Sequence, residues 1–145
     1  MTDPPAVECV FCRIAAGAPA SIVHRDDVVL AFMDTRPVNP GHVLVIPTRH
    51  YPSLADVPES VAARCFVVAQ RVAAALRASG LRCEGVNLFL ADGEAALQEV
   101  FHAHLHVFPR YRGDSFRIEA DWSTRPSREE LDTVARQVCA ALGPS

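Results

Sequence analysis

Three histidines stand on alternate positions of one short segment, "HAHLHVF", residues His102 to Phe108, and they are half of the six in the chain. That spacing constrains the fold more than any other feature. A strand points residues i, i+2 and i+4 to one side, so His102, His104 and His106 would form a row while Ala103, Leu105 and Val107 face a core. A helix would scatter the same three around its circumference, because i and i+2 are not neighbours there. The segment is therefore expected to be a half-buried strand with one imidazole-lined face. Three neutral rings in a dry core would need three sets of hydrogen-bond partners, and exposed rings would cover a surface poorly. The row points to chemistry.

The rest of the chain supplies the partners such a strand needs. Residues 1–8 read as a flexible tail, and "CVFCRIAAG" fits a metal knuckle running into a short helix stopped by Gly17. "SIVHRDDVVLAFMD" predicts two short strands joined by a tight turn at Arg25–Asp27, and "HVLVIP" a further strand ended by Pro47. From Pro58 to Ser79 the sequence is Ala-rich, with Gly80 just past its end, which predicts a long central helix. "GVNLFLAD" predicts another strand before the histidine segment. "SREELDTVARQVCAAL" reads as a C-terminal helix, with Ser127 as N-cap, Glu130 closing a capping box and Gly143 as stop. About five strands with one long helix between them predict an α+β fold around a mostly antiparallel sheet. With no linker or repeat visible, residues 9–145 are expected to form a single domain.

Composition narrows the function. The formal net charge is −3, which gives no electrostatic case for binding nucleic acid or anionic membranes. All 14 basic residues are Arg, so no lysine-based covalent mechanism is available. No window approaches the roughly 18 uncharged apolar residues of a membrane span, and no signal segment is evident; a cytoplasmic, soluble protein is expected. Five cysteines without an export signal argue against a disulfide framework. Cys65, Cys83 and Cys139 read as small buried hydrophobes. Cys9 and Cys12, in "CVFC", can place two thiolates on one metal ion, or form a redox pair.

Two chemical readings of the row stand open. All three histidines can hold a catalytic zinc with an open fourth position. Alternatively they divide the labour, since an imidazole of ordinary pKa about 6.5 serves as nucleophile and proton carrier near neutrality. Attack on phosphorus would give a covalent phosphoramidate, and a neighbouring imidazole would stabilise charge or protonate the leaving group.

Residues 102–108 resemble the His-φ-His-φ-His-φ-φ signature, φ being apolar, of the histidine-triad nucleotide hydrolases and transferases. "CVFCRIAAG", "DDVVLAFMDTRPVNPGHVLVIPTRH" and the Pro-Arg closing "FHAHLHVFPR" extend the resemblance over roughly residues 9–118, in the zinc-bearing bacterial pattern. The resemblance implies that His104 attacks the α-phosphorus of a purine nucleotide such as an AMP derivative. It places His106 at the scissile phosphate and His42 beside the triad. It further implies that Asp34 holds the ribose, Phe32 flanks the base and Gln98 lies on the phosphate side. Cys9, Cys12, His50 and His102 would complete a closed structural zinc site, and a homodimer is implied. Two departures stand out. Leu97 replaces a Gly common before Gln98, and Ala91 replaces an Asn or Gln that reaches the phosphates. A nucleotide-binding or zinc-organised interaction module with little turnover is the alternative from another class.

Overall fold

Two apolar runs occupy the middle of the sheet because both of their faces are covered. In the computed structural model, which describes residues 8–144, these are β2 (Val29–Met33) and β3 (Val43–Pro47), buried almost throughout. The tail expected over residues 1–8 lies outside the described residues, Glu8 excepted. With β1 (Ile22–Arg25), β4 (Gly85–Phe89) and β5 (Leu105–Arg110) they form one antiparallel sheet in the order β1-β2-β3-β5-β4. This is the α+β architecture expected. A continuous apolar run is the pattern of a strand covered on both sides, so β2 and β3 show no alternation.

Helix α2 (Glu59–Ala78) covers one face. Its buried residues Cys65, Val68, Ala69, Val72 and Leu76 recur at helical spacing, forming a stripe that packs on Val29, Ala31, Val43, Val45 and Val107. The short helix α1 (Val10–Ala15) covers part of the other face, where Phe11 packs with Leu30, Phe32, Leu44 and Ile46. Cross-strand register sets Leu44 opposite both Phe32 and His106, so His106 belongs to this second face. One side of the sheet is closed hydrocarbon; the other carries the imidazoles.

Three expectations are refined. The histidine strand is shorter than its alternation predicts, because β5 begins only at Leu105. Ala103 donates its N–H to the Tyr51 carbonyl at 2.7 Å, so His102 and His104 lie in an extended lead-in tied to a loop. The CxxC does not precede its helix but starts it: Cys9 is the N-cap and Cys12 lies in the first turn. Of the three cysteines read as buried, Cys65 is buried, Cys83 is half-buried and Cys139 is exposed.

The turn that delivers His42 depends on Gly41, whose φ is +106°. A Cβ there would meet Leu76 Cδ2 at 2.9 Å, Leu81 Cδ1 at 3.0 Å and Pro109 Cγ at 3.2 Å. Gly41→Ala is therefore expected to destabilise by about 2–3 kcal/mol, through backbone strain and overpacking together. Urea unfolding should show a lower midpoint at unchanged slope.

This compact unit runs to Ser115, and a second begins at Phe116. The second contains α3 (Arg128–Leu142), capped as its sequence predicts: Ser127 Oγ accepts from Glu130 N–H, and Glu130 accepts from Ser127 N–H at 2.7 Å. No helix among the described residues is long and apolar enough to cross a membrane.

Candidate active site and metal centre

Hydrogen-bond partners fix which nitrogen of each histidine carries its proton. His104 donates Nδ1–H to the carbonyl of His102 at 2.7 Å. Its Nε2 lone pair is therefore free, on a ring only 7% exposed. Phe11 closes one side of that ring, at a centroid distance of 5.1 Å, and His106 lies beside it at 4.9 Å. The Val38 N–H donates to His42 Nδ1 at 3.0 Å, so the His42 proton sits on Nε2. That Nε2–H donates to His106 Nδ1 at 2.8 Å, which leaves the His106 proton on its own Nε2. The row thus presents one lone pair, on His104, next to one donor, on His106. That is the arrangement a phosphoryl centre requires.

Burial keeps these rings neutral. It lowers the pKa of His42 and of His104, against the opposing pull of Asp34 on both. His106 is pushed down to about 4, chiefly by burial and then by its neighbours His104 and His42. Asp34 Oδ2 stands 3.5 Å from His42 Nε2 and 4.0 Å from His106 Nδ1, yet burial outweighs its attraction. With the rings neutral these are charge–dipole contacts, not ion pairs, because the His42 Nε2–H is directed at His106 Nδ1. Because the folded pKa of His106 lies below the ordinary 6.5, the unfolded chain takes up this proton first as pH falls. Its contribution to stability is full above pH 6.5 and is lost between there and about 4. His106→Gln should flatten the fall of unfolding free energy between pH 6.5 and 5 by about 1–2 kcal/mol, measured by urea titration at each pH.

The remaining residues singled out from the sequence gather round this row with different degrees of freedom. Asp34 Oδ1 accepts the Arg36 N–H at 2.8 Å. Gln98 is fully engaged: its Oε1 accepts from Gly93 N–H, and its amide donates to the carbonyls of Pro52 and Val100. It fastens the loop before β5. Phe32 is buried in the core and packs edge-on against Phe11 at 5.5 Å. Leu97 is the one non-glycine residue at positive φ among the described residues, at 70°, and its side chain is 77% exposed. Bulk is thus no obstacle there; the cost is a left-handed backbone, about 1 kcal/mol, which glycine avoids. Ala91 is buried and carries no donor. Sequence reasoning missed two groups. The Val38 N–H sets the His42 tautomer, and an Arg36–Glu99 ion pair of 2.9 Å joins residues 63 positions apart.

Among the described residues, two clusters bring metal-ligating atoms within 4.8 Å of one another. In the first, His102 Nδ1 lies 3.5 Å from Cys9 Sγ and 3.6 Å from Cys12 Sγ, and His50 Nδ1 lies 3.3 Å from Cys12 Sγ. Ligands about a tetrahedral zinc stand roughly 3.5 Å apart, so the spacing fits. The other nitrogen of His102 donates to the Pro47 carbonyl at 2.9 Å, which turns a lone pair towards the thiols as metal-binding histidines require. Burial, reinforced by Cys9, pushes the Cys12 thiol up to about 11, so a bound cation is what would ionise it. The second cluster, Asp34, His42 and His106, fails the same test. His42 Nδ1 already faces an N–H, so using Nε2 as a ligand would leave the ring with no proton at all. His102, His104 and His106 direct their Nδ1 atoms at thiols, a carbonyl and His42 respectively. The three rings of the row do not converge on one ion.

This geometry coincides with a family match: the HIT domain is recognised over residues 15–113, and the chain belongs to the HIT family. A HIT-like protein of Mycobacterium tuberculosis, itself uncharacterised, is 41% identical over 135 residues, covering 91% of this chain and 93% of the relative. An adenylylsulfatase of Arabidopsis thaliana is 38% identical, covering 93% of this chain and 68% of that protein. Among solved structures, a zinc-bound histidine triad family protein from Mycobacterium smegmatis is 41% identical with a TM-score of 0.74, covering 94% of this chain and 99% of that one.

Proposed function

We propose that this protein hydrolyses or transfers a nucleoside monophosphate group through a covalent nucleotidyl-His104 intermediate. The observation that carries the reading is the tautomer of His104: its Nδ1–H is held by the His102 carbonyl, so its Nε2 pair is uncommitted on a ring 4.9 Å from that of His106. That pair attacks the α-phosphorus, the nitrogen–phosphorus bond forms, and the leaving group departs with the electrons of the bond that breaks. His106 Nε2–H holds a non-bridging oxygen where negative charge gathers. Water then attacks phosphorus, the pair returns to His104, and a proton passes to solvent. Asp34 keeps lone pairs for the ribose hydroxyls of a purine nucleotide such as an AMP derivative. Phe32 backs the base side through Phe11, and Gln98 holds the phosphate loop in shape.

Cys9, Cys12, His50 and His102 would hold a structural zinc, in keeping with the zinc-bound Mycobacterium smegmatis relative. With all four positions filled by side chains it would offer substrate no coordination site. Assembly as a homodimer belongs to the same reading, and light scattering tests it.

The decisive experiment is intact-mass analysis of wild-type protein quenched during turnover of an adenylyl substrate. A mass gain of one adenylyl group, mapped to His104, is the expected result. Tight AMP binding without adduct or turnover would overturn the reading in favour of a binding module.

A further inference from the structure

Among the described residues, six polar or charged side chains are buried: Asn39, His42, Gln98, His102, His104 and Asp114. Four of these build the histidine cluster, the candidate metal centre or the loop before β5. Asn39 and Asp114 belong to none of them. Burying an amide against a carboxylate is costly unless both are fully paired. Here they are. Asn39 Nδ2 donates to the Pro109 carbonyl and to Asp114 Oδ2, both at 2.9 Å, which uses its two N–H groups. The Asp114 carboxylate also accepts from Arg110, through Nε at 2.6 Å and Nη2 at 2.9 Å. Arg110 donates from Nη1 to Asn87 Oδ1 on β4 at 2.7 Å. Arg110 above all, helped by Asn39 and the Tyr111 N–H, holds the Asp114 carboxyl well below the usual carboxylate range against its burial. The anchor stays charged at neutral pH.

What this anchor holds is the loop that delivers His42. Between β2 and β3 the chain closes on itself. The Asp34 N–H donates to the His42 carbonyl at 2.9 Å, and the His42 N–H donates to the Asn39 carbonyl at 3.1 Å. The Val38 N–H donates to His42 Nδ1 at 3.0 Å. These bonds give the loop a shape without fixing it against β5, which carries His106. Strand pairing supplies one attachment, with Val43 opposite Val107 and Leu44 opposite His106. The Asn39 amide supplies a second, three residues before His42, on Pro109 at the far end of β5. The 2.8 Å bond from His42 Nε2–H to His106 Nδ1 is directional, so a small tilt of the loop would break it.

We propose that Asn39, locked by Asp114 and Arg110, is a positioning residue that aims His42 Nε2–H at His106 Nδ1 and so keeps the His106 proton on Nε2. Its effect on rate rests on the covalent reading above; its effect on the two rings does not. Asn39 acts through His42 and not on substrate. An amide suits the place because its two N–H groups meet a carbonyl oxygen and a carboxylate. An aspartate of the same size would set a second negative charge against Asp114.

The test uses the intact zinc-loaded protein and its Asn39→Ala, Asn39→Asp and Asp114→Asn variants. Val68→Ala, on the hydrocarbon side of the sheet, is the control for lost stability. Long-range proton–nitrogen correlation spectra report which nitrogen of each ring is protonated. Wild type should show His42 and His106 both protonated on Nε2, with the His42 proton exchanging slowly with water. In Asn39→Ala and Asn39→Asp that proton signal should be lost and His106 should populate both tautomers. Their kcat for an adenylyl substrate should fall about 10- to 100-fold while KM changes less than about threefold. Asp114→Asn, which retains one acceptor oxygen for Asn39, should show a smaller loss in the same direction. Val68→Ala should lower the melting temperature yet keep the ring signals and a kcat within about twofold of wild type. Unchanged ring signals in both Asn39 variants, or the same losses in Val68→Ala, overturn the proposal. So does a wild-type His42 protonated on Nδ1, or an unchanged kcat in Asn39→Ala while the His104 adduct forms. Ring signals lost as expected in a protein that forms no adduct support the positioning and overturn the covalent reading alone.

Discussion

Exchange of His104 for glycine lowers kcat/KM for an adenylyl substrate by at least about 10³-fold, and added imidazole restores part of the loss. The size follows from the proposed role: this ring would supply the attacking lone pair, and neither His42 nor His106 has an uncommitted one. His106 keeps its proton on Nε2, and His42 donates its own Nε2–H to His106 as a hydrogen bond. Rescue by free imidazole separates a missing nucleophile from a damaged fold, since a small ring entering the vacated space repairs only the former. Zinc content should stay at one per chain, because the His102 side chain is held by Pro47 and the thiols rather than by His104. Retention of a tenth or more of wild-type activity would assign the attack to another group.

Removal of the metal is expected to have the second largest effect. Cys9→Ser, or treatment with a strong chelator, should lower the apparent melting temperature by about 5–15 °C, corresponding to a loss of about 2–4 kcal/mol. The hydrophobic core built by α2 and the sheet does not include the cluster, so the chain should loosen rather than unfold. Turnover should fall as well, by about tenfold, because the same residue that would ligate through Nδ1 holds His104 through its carbonyl. Acid should mimic the chelator. The Cys12 thiol, pushed up to about 11 by burial and by Cys9, must lose its proton before it can bind a cation, so affinity weakens as pH falls. Metal analysis and differential scanning calorimetry on the same samples check both parts. Full zinc content in Cys9→Ser would remove Cys9 from the ligand set.

The elements legible in the sequence were those whose signals are local. The apolar stripe of α2, the Ser127–Glu130 capping box of α3 and the uninterrupted run of β3 each show in a window of a few residues. The alternation at His102–His106 pointed to a strand, but it did not show that His102 and His104 are buried as deeply as Ala103 and Val107. It could not show that β5 starts only at Leu105, because the competing partner of the Ala103 N–H is Tyr51, far away along the chain. Gln98 was singled out by resemblance alone, and its commitment to Gly93, Pro52 and Val100 depends on a loop whose shape no spacing rule gives. Arg36 and Glu99 resemble ordinary solvated charges until the fold sets them face to face. The Val38 N–H belongs to the backbone, so no side-chain pattern could have announced that it dictates the proton on His42.

Phe11 has a practical consequence for how much chain the chemistry needs. Its ring touches Phe32, His102 and His104, yet it lies upstream of the segment that the family shares, residues 15–113. A fragment trimmed to that segment would keep every imidazole of the row while admitting solvent to the flank of His104 and discarding both thiols of the Cys9–Cys12 pair. The first turn of helix α1 belongs with the imidazole row in any working fragment.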